Sequence, residues 1–309
     1  MAATSLDDIL AVYESLRKKK RTRYFIFSIL GLTFLIGGFG VFLWNYFSQT
    51  PNSEGADKYC LIYALSLTVG ILGVVGCGYA LNARLSLASS LRNSLQKRYL
   101  PSLYGTPKAI KDSAFKADEI AALHLFRPWA RYHSNAVLHF PNNGIPFERF
   151  EIVLEKETPA SHSDHPSYFT YADELVLALP LRYSLQGQVR LTPKTLHFAP
   201  NPKLASLESE YVAFNRAFEI QGGVKDDLFL LLTPDRYEGL IDLENAYQQQ
   251  LRFAAIGSTL FVFFPTAKIK APVSFFSPID KKLLEPLFKA IDLPRQVVSV
   301  FLGVLPPKP

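Results

Sequence analysis

Residues 24–47 read YFIFSILGLTFLIGGFGVFLWNYF, a run without a charged side chain. A helix over this run would cover about 36 Å at 1.5 Å per residue, which is enough to span a bilayer with some tilt. Tyr24 at one end and Trp44 and Tyr46 at the other place amphipathic rings where the two membrane interfaces would lie. The run therefore predicts a transmembrane helix.

A second uncharged run, YCLIYALSLTVGILGVVGCGYAL, occupies residues 59–81 and suits a span of roughly 30 Å. The link between the runs is short and rich in turn residues, so the two spans must be antiparallel. A cleaved signal peptide is the alternative for the first run, but signal peptides have apolar stretches of about half this length and closer to the N-terminus. The pattern favours a two-helix transmembrane hairpin.

Basic residues flank both runs, whereas the link contains only Lys58. Under the positive-inside rule, this asymmetry predicts a multi-pass protein with both termini in the cytoplasm. Residues 1–23 are predicted to form a basic amphipathic helix, and residues 82–105 a juxtamembrane helix and linker. These two helices could pair as an extension of the hairpin or lie on anionic lipid. The flanking residues are Arg17, Lys18, Lys19, Lys20, Arg21 and Arg23 before the first run, and Arg84, Arg92, Lys97 and Arg98 after the second.

Net charge and cysteine content bear on the binding partners and on the redox compartment of the protein. Residues 1–23 hold six Lys/Arg against three Asp/Glu and so carry half of the net charge of +6. The rest of the chain is only mildly basic, and we expect no nucleic-acid partner. The two cysteines, Cys60 and Cys77, would lie about 25 Å apart on one helix and cannot bridge each other, which fits a reducing compartment.

Glycines in the two runs predict where the helices touch. Small residues let helix backbones approach closely within a membrane, and the candidates are Gly37, Gly70, Gly73 and Gly76. The same surface could serve a homo-oligomer. The alternative is that glycine is simply common in transmembrane helices.

Residues 106–309 predict an α+β domain with a mainly antiparallel sheet, since short β-like runs precede helices without regular βαβ alternation. Thr233 followed by Pro234 predicts a helix start, and Pro286 is expected to kink or divide a later helix that opens near Ser277. The predicted strands lie at residues 136–140, 145–157, 174–181, 187–192, 195–199, 210–215 and 258–265.

The sequence contains few candidates for catalytic, cofactor-binding or metal-binding motifs. Residues 221–225, QGGVK, lack the spacing of a phosphate-binding loop and predict a tight turn between strands. His162, Asp164 and His165 form a local group of potential ligands, but a flexible Ser/Pro-rich loop rarely preforms a metal site. We therefore assign no catalytic, cofactor or metal site.

The order of elements resembles a bacterial membrane-protein family, the domain of unknown function usually numbered 3137. The resemblance is carried by DEIAALHLF (118–126), NNGIPFERFEI (142–152), YVAFNRAFEIQ (211–221), LLTPDRYEGLIDLENAY (231–247) and STLFVFFP (258–265), and covers most of the chain. The loop at residues 158–171 departs from it. The resemblance implies a bacterial inner-membrane location and a possible LemA-like membrane partner, with no activity to carry over.

These features favour a membrane-anchored interaction or scaffold protein that is not an enzyme. One alternative is a membrane-tethered enzyme whose site is assembled from distant residues and acts on lipid or envelope substrates. The other is an accessory subunit of a membrane complex.

Overall fold

The computed structural model describes residues 6–47, 56–110, 117–135, 137–141, 146–158, 167–196, 204–248, 250–266, 282 and 284–303. They fall into two compact units. The first contains the helices α1 (Leu6–Phe47) and α2 (Ala56–Ser94), and the second begins at Leu100 and holds the sheet and the C-terminal helix.

α1 runs through the predicted membrane run and the basic segment before it, starting at Leu6, and α2 runs through its predicted membrane run and into the juxtamembrane segment as far as Ser94. α1 has 42 residues and α2 has 39, so they measure about 63 Å and 58 Å. Asp7 and Asp8 in the first turn of α1 favour the positive end of its dipole. A π-helical turn, Leu95–Tyr99, follows α2.

The two helices pack antiparallel along their length. Near the start of α1, the Tyr13 hydroxyl donates to the Ser90 carbonyl (2.8 Å) and lies 2.6 Å from Ser94 Oγ, both near the end of α2. Near the other end of α1, Gly38 approaches Ser66 and Gly70. The predicted juxtamembrane helices therefore pair with each other.

Buried positions recur at multiples of seven residues along this contact, which we call the seam. On α1 they include Leu10, Arg17, Gly31 and Gly38, and on α2 they include Ser66, Gly73 and Leu87. A repeat of 3.5 residues per turn is typical of left-handed helix packing, as in coiled coils. The seam runs through the basic and the apolar parts of both helices.

In the second unit, the described residues contain six helices and ten strands. The helices are α3 (Leu100–Tyr104), α4 (Ala117–Ala122), α5 (Val212–Ala217), α6 (Lys225–Leu231), α7 (Pro234–Ala246) and α8 (Glu285–Leu302). The strands are β1 (Lys108–Ile110), β2 (Arg131–Ser134), β3 (Val137–Phe140), β4 (Phe147–Glu157), β5 (Tyr168–Pro180), β6 (Gln188–Pro193), β7 (Ala205–Leu207), β8 (Phe218–Gly222), β9 (Arg252–Ile256) and β10 (Thr259–Pro265).

The strands form one antiparallel sheet in the order β1-β3-β4-β5-β10-β9-β6-β8-β7, and β2 also pairs with β4. β10 is central, with Phe263 opposite Val176 of β5 and Arg252 of β9. The predicted α+β class with a mainly antiparallel sheet is confirmed.

Apolar side chains cover both faces of the sheet. On one face, Phe150 and Phe263 belong to a buried cluster with Ile120 of α4. On the other, Phe253 contacts Phe301 of α8 at a ring distance of 6.1 Å, and Phe264 contacts Tyr247 at 5.3 Å. Successive residues of a strand point to opposite faces of the sheet, so the central strands contribute to a hydrophobic core on each face.

Three predicted elements differ from the structure, and a fourth is described only in part. Of the strand predicted at residues 195–199, the structure describes only Thr195 and Leu196, which lie in a turn after β6. Residues 210–215, predicted as a strand, belong largely to α5, because Phe214 is buried against Phe218 and Tyr237 in a helical turn. Gly223 connects β8 to α6, not to another strand. Pro286 lies in the first turn of α8, where a proline nitrogen needs no donor hydrogen, so it causes no kink.

Candidate membrane anchor

Between Phe25 and Trp44, a length of about 30 Å, the exposed surface of α1 is largely apolar and carries no charge. Within the described residues, Asp7–Trp44 qualifies as a candidate membrane span, with a mean hydropathy of 2.3 in its best window and only 11% of that window buried. A core helix of a soluble protein would be mostly buried. The exposed large apolar side chains are Phe25, Ile26, Phe27, Ile29, Leu30, Leu32, Phe34, Ile36, Phe39, Val41, Leu43 and Trp44.

α2 continues this apolar surface beside α1. The described apolar stretch, Ala64–Tyr79, is shorter than a full span. Its exposed large side chains are Leu65, Leu67, Ile71, Leu72, Val74, Val75, Tyr79 and Leu81. A contiguous apolar surface of this extent is unfavourable in water, whereas hydrocarbon would remove that cost.

Ser66 and Thr68 lie in the apolar stretch of α2. The Thr68 hydroxyl donates to the Ala64 carbonyl at 2.7 Å, and Ser66 is buried against Gly38. Unpaired hydroxyls are costly in hydrocarbon, so this arrangement suits a low-dielectric surrounding.

Glycines bring the two backbones into direct contact. A Cβ at Gly73 would lie 2.5 Å from Leu35 N and 2.7 Å from Gly31 O, and one at Gly76 would lie 3.0 Å from Gly31 Cα. A Cβ at Gly38 would lie 2.6 Å from Gly70 N. Gly70, Gly73 and Gly76 thus take part in the contact.

Gly37 differs from that set, because it is exposed and a Cβ there would meet nothing within 4 Å among the described residues. Its neighbour Gly38 faces α2 instead. A Cβ at Gly70 would also have room, but the backbone of Gly70 contacts Gly38. Seven residues separate Gly31 from Gly38. That spacing is the signal in the sequence that selects Gly38 over Gly37.

The basic residues of α1 divide into an exposed group and one buried exception. Lys18, Lys19, Arg21 and Arg23 are exposed and Lys20 is half-buried. Arg17, predicted to flank the membrane, is 3% exposed and lies in the seam.

Arg17 is held there by Glu14. Its Nε donates to Glu14 Oε2 at 2.8 Å and its Nη2 to Oε1 at 2.6 Å. These two charge-assisted hydrogen bonds fix the orientation of the Arg17 guanidinium. The Arg17 guanidinium is therefore buried and paired with Glu14 of the same helix.

The basic residues after the second run lie on α2 and its π-helical turn. Lys97 and Arg98 are exposed. Arg84 and Arg92 belong to α2, and their side chains lie outside the described part of the structure.

In the second unit, Glu174 of β5 and Arg252 of β9 form a buried ion pair across β10. The Arg252 guanidinium also lies 4.8 Å from the centre of the Phe126 ring. Burial outweighs the attraction of Arg252 and raises the pKa of the Glu174 carboxyl. A pair enclosed this way fixes strand neighbours and leaves little charge for a ligand.

A second buried polar chain crosses β6 and β8. Arg190 Nη1 donates to Gln221 Oε1 at 2.9 Å, and Gln221 Nε2 donates to Glu219 Oε1 at 2.8 Å. Burial lowers the pKa of Arg190. Arg190, Gln221 and Glu219 each make at least one hydrogen bond to another member of this network. This favours a structural role for the three side chains.

Glu244 of α7 is a buried carboxyl without a cationic partner among its described hydrogen bonds and ion pairs. Its side chain is buried, and Oε1 accepts from the Leu251 amide at 3.2 Å. Oε2 has no hydrogen-bond partner among the described residues. Burial raises the pKa of Glu244 to about 8, so the carboxyl is mainly neutral at pH 7.

Metal-ligating side chains do not converge within the described residues, where no group of three or more His, Cys, Asp or Glu could hold an ion. His162, Asp164 and His165 lie outside the described residues.

Comparisons with known proteins give one distant likeness. No family model matches the chain, and no curated protein sequence matches it. The crystal structure of the mycobacterial trehalose monomycolate transport factor A, TtfA, is 12% identical with a TM-score of 0.38, covering 70% of this chain and 98% of that chain. A likeness this distant carries no conclusion about this protein.

Proposed function

We propose that α1 and α2 cross the bilayer as a hairpin and tether the α+β domain to a cell membrane. The observation that supports this proposal is the exposed apolar surface shared by both helices, which extends from Phe25 to Trp44 on α1 and from Leu65 to Leu81 on α2. Lipid hydrocarbon would cover this surface, and the close contacts at Gly31, Gly38 and Gly73 would hold the two helices together within it.

The cytoplasmic face is the proposed location of the domain. The exposed cations Lys18, Arg21 and Lys97 lie at the end of the helix pair where Tyr13 meets Ser94. Trp44, which is 76% exposed, lies at the other end. Cytoplasmic flanks carry the excess of Lys and Arg, so both termini would be inside.

Within this arrangement, the domain acts as an interaction or scaffold module. The buried ionic groups of the sheet bind one another, as in the pair of Glu174 with Arg252, and so support a rigid domain whose exposed surface is available to partners. Membership of the family numbered 3137 and a LemA-like partner remain predictions.

Reporter fusions test the topology. A fluorescent protein fused after Pro309 should fold and fluoresce in the cytoplasm, and alkaline phosphatase inserted near Asn52 should be active outside. A matched phosphatase fusion after Pro309 should be inactive. An active phosphatase at Pro309 would overturn the proposed orientation, and inactivity at both positions would overturn the hairpin.

Affinity purification from detergent-solubilised membranes tests the scaffold role. The full chain and a matched bait of residues 1–99, which lacks the domain, are compared by mass spectrometry. We expect partner proteins with the full chain that the short bait does not recover. The same proteins on both baits would place binding in the helices and contradict a role for the domain.

A further inference from the structure

A cationic cavity of about 380 Å³ lies on α1 and is lined by Lys18, Arg21, Thr22 and Phe25. These residues have the spacing i, i+3, i+4 and i+7, so they share one face of the helix. Seven residues of helix span about 10 Å. Arg17, which marks the seam, lies about a quarter of a turn away, so the cavity opens beside the helix contact.

The chemistry of the cavity changes along the helix axis. Lys18 and Arg21 supply a point charge and a planar fork of donors, and the Arg fork matches two oxygens of a phosphate. Thr22 adds a hydroxyl donor. Phe25, at the far end, is the first of the exposed apolar side chains of the proposed membrane span. Along the helix axis, the cations would contact a phosphate group and the aromatic ring would contact the hydrocarbon joined to it.

We propose that this cavity binds the headgroup phosphate of an anionic phospholipid, with the acyl chains lying along Phe25 and the apolar surface beyond it. This inference rests on the proposed function, because it requires α1 to enter the bilayer at Phe25. The phosphate then lies at the depth of lipid headgroups, where basic side chains and anionic lipids meet.

Two exposed cations on another face provide a matched control. Lys19 and Arg23 are also exposed residues of α1, yet they do not line the cavity and lie roughly a third of a turn from it. The double variants Lys18→Gln/Arg21→Gln and Lys19→Gln/Arg23→Gln remove the same charge from the same segment. A specific site is sensitive to the first variant only, whereas general electrostatic attraction responds equally to both.

Native mass spectrometry of the full-length protein in a neutral detergent measures binding. Phosphatidylglycerol, phosphatidylcholine and inorganic phosphate are titrated separately. We expect wild-type protein to retain phosphatidylglycerol in preference to phosphatidylcholine. Losing charge-assisted bonds should lower that affinity about tenfold in the Lys18/Arg21 variant, and the Lys19/Arg23 variant should stay within about twofold.

Equal losses in both variants, or no preference between the two lipids, would overturn the site. Complete competition by millimolar inorganic phosphate would indicate a soluble anion instead of a lipid and would also overturn it. The variant Arg21→Lys keeps the charge but removes the fork of donors, so we expect a partial loss of affinity for phosphatidylglycerol. This single variant tests the site if the double variant folds poorly. Normal reporter topology with lost lipid preference contradicts this inference alone, whereas altered wild-type topology contradicts the proposed function.

Discussion

Glu244 shows how one buried side chain couples folding to pH. The folded chain holds its proton up to about pH 8, whereas an ordinary glutamic acid releases it near pH 4.5. The folded state therefore binds more protons than the unfolded state between these values. The contribution of Glu244 to the free energy of unfolding is therefore fully present below pH 4.5 and is lost as the pH rises through 8.

We predict that Glu244→Gln removes this pH dependence. The amide is neutral and nearly isosteric, so the variant and the wild-type protein should unfold at similar temperatures near pH 4.5. Above pH 8 the variant should be the more stable, by on the order of a few kcal/mol. Thermal unfolding monitored by circular dichroism from pH 4.5 to 9 measures the difference.

The exposed Glu238→Gln on the same helix is the matched control, and it should follow the wild-type profile. Parallel pH profiles for Glu244→Gln and the wild-type protein would mean that the Glu244 carboxyl is ionised in the folded state.

At the scale of elements, the seam between α1 and α2 depends on the absence of side chains at a few positions. We predict that Gly73→Ala separates the helices, because its Cβ would lie 2.5 Å from the backbone nitrogen of Leu35. The unfolding temperature of the full-length protein in detergent should fall by several degrees, which corresponds to roughly 1–3 kcal/mol of overpacking.

Gly78→Ala is the control for that variant. A Cβ at Gly78 meets nothing within 4 Å among the described residues. Alanine has the higher helix propensity, so this change should leave stability unchanged or raise it by up to about 1 kcal/mol. A Gly73→Ala protein as stable as Gly78→Ala would contradict the close packing.

Local patterns in the sequence predicted the longer elements, among them α1, α2, α7, β4, β5 and β10. They failed where tertiary contacts override local propensity. Residues 210–215 carry Tyr, Val and Phe, which favour a strand. In the structure, Asn215 Nδ2 donates to the Ser209 carbonyl at 2.7 Å, and the Ser209 amide donates to Asn215 Oδ1 at 2.9 Å. This exchange of hydrogen bonds closes a helical turn that places Phe214 in the core.

Side-chain partners that are distant in sequence could not be predicted. Glu174 and Arg252 meet because β5 and β9 both flank β10, and that sheet order is a global property of the fold. The seam could be predicted more readily from the sequence, because Leu10, Arg17, Gly31 and Gly38 are spaced by multiples of seven residues. The same spacing predicts that Arg17 faces inward while its basic neighbours stay exposed.

At the scale of the whole molecule, the boundary of the domain follows from Tyr104. This residue falls in the segment predicted as a linker, yet it is buried within the second unit. Its hydroxyl donates to the Ile291 carbonyl of α8 at 2.8 Å. Its ring meets Phe147 edge-on at 5.1 Å. The contacts join the start of the domain to β4 and to the C-terminal helix.

We predict that a fragment of residues 100–309 folds on its own and that a fragment of residues 106–309 is markedly less stable. Removing a buried aromatic side chain costs about 3–5 kcal/mol, which is a large share of the stability of a single domain. Size-exclusion chromatography and thermal unfolding compare the two fragments. Tyr104→Phe in the longer fragment is the control, because it keeps the ring, loses only the hydrogen bond and should cost about 1 kcal/mol. Equal stability of the two fragments would show that Tyr104 is dispensable, and cooperative unfolding by neither would show that the domain requires the N-terminal helices.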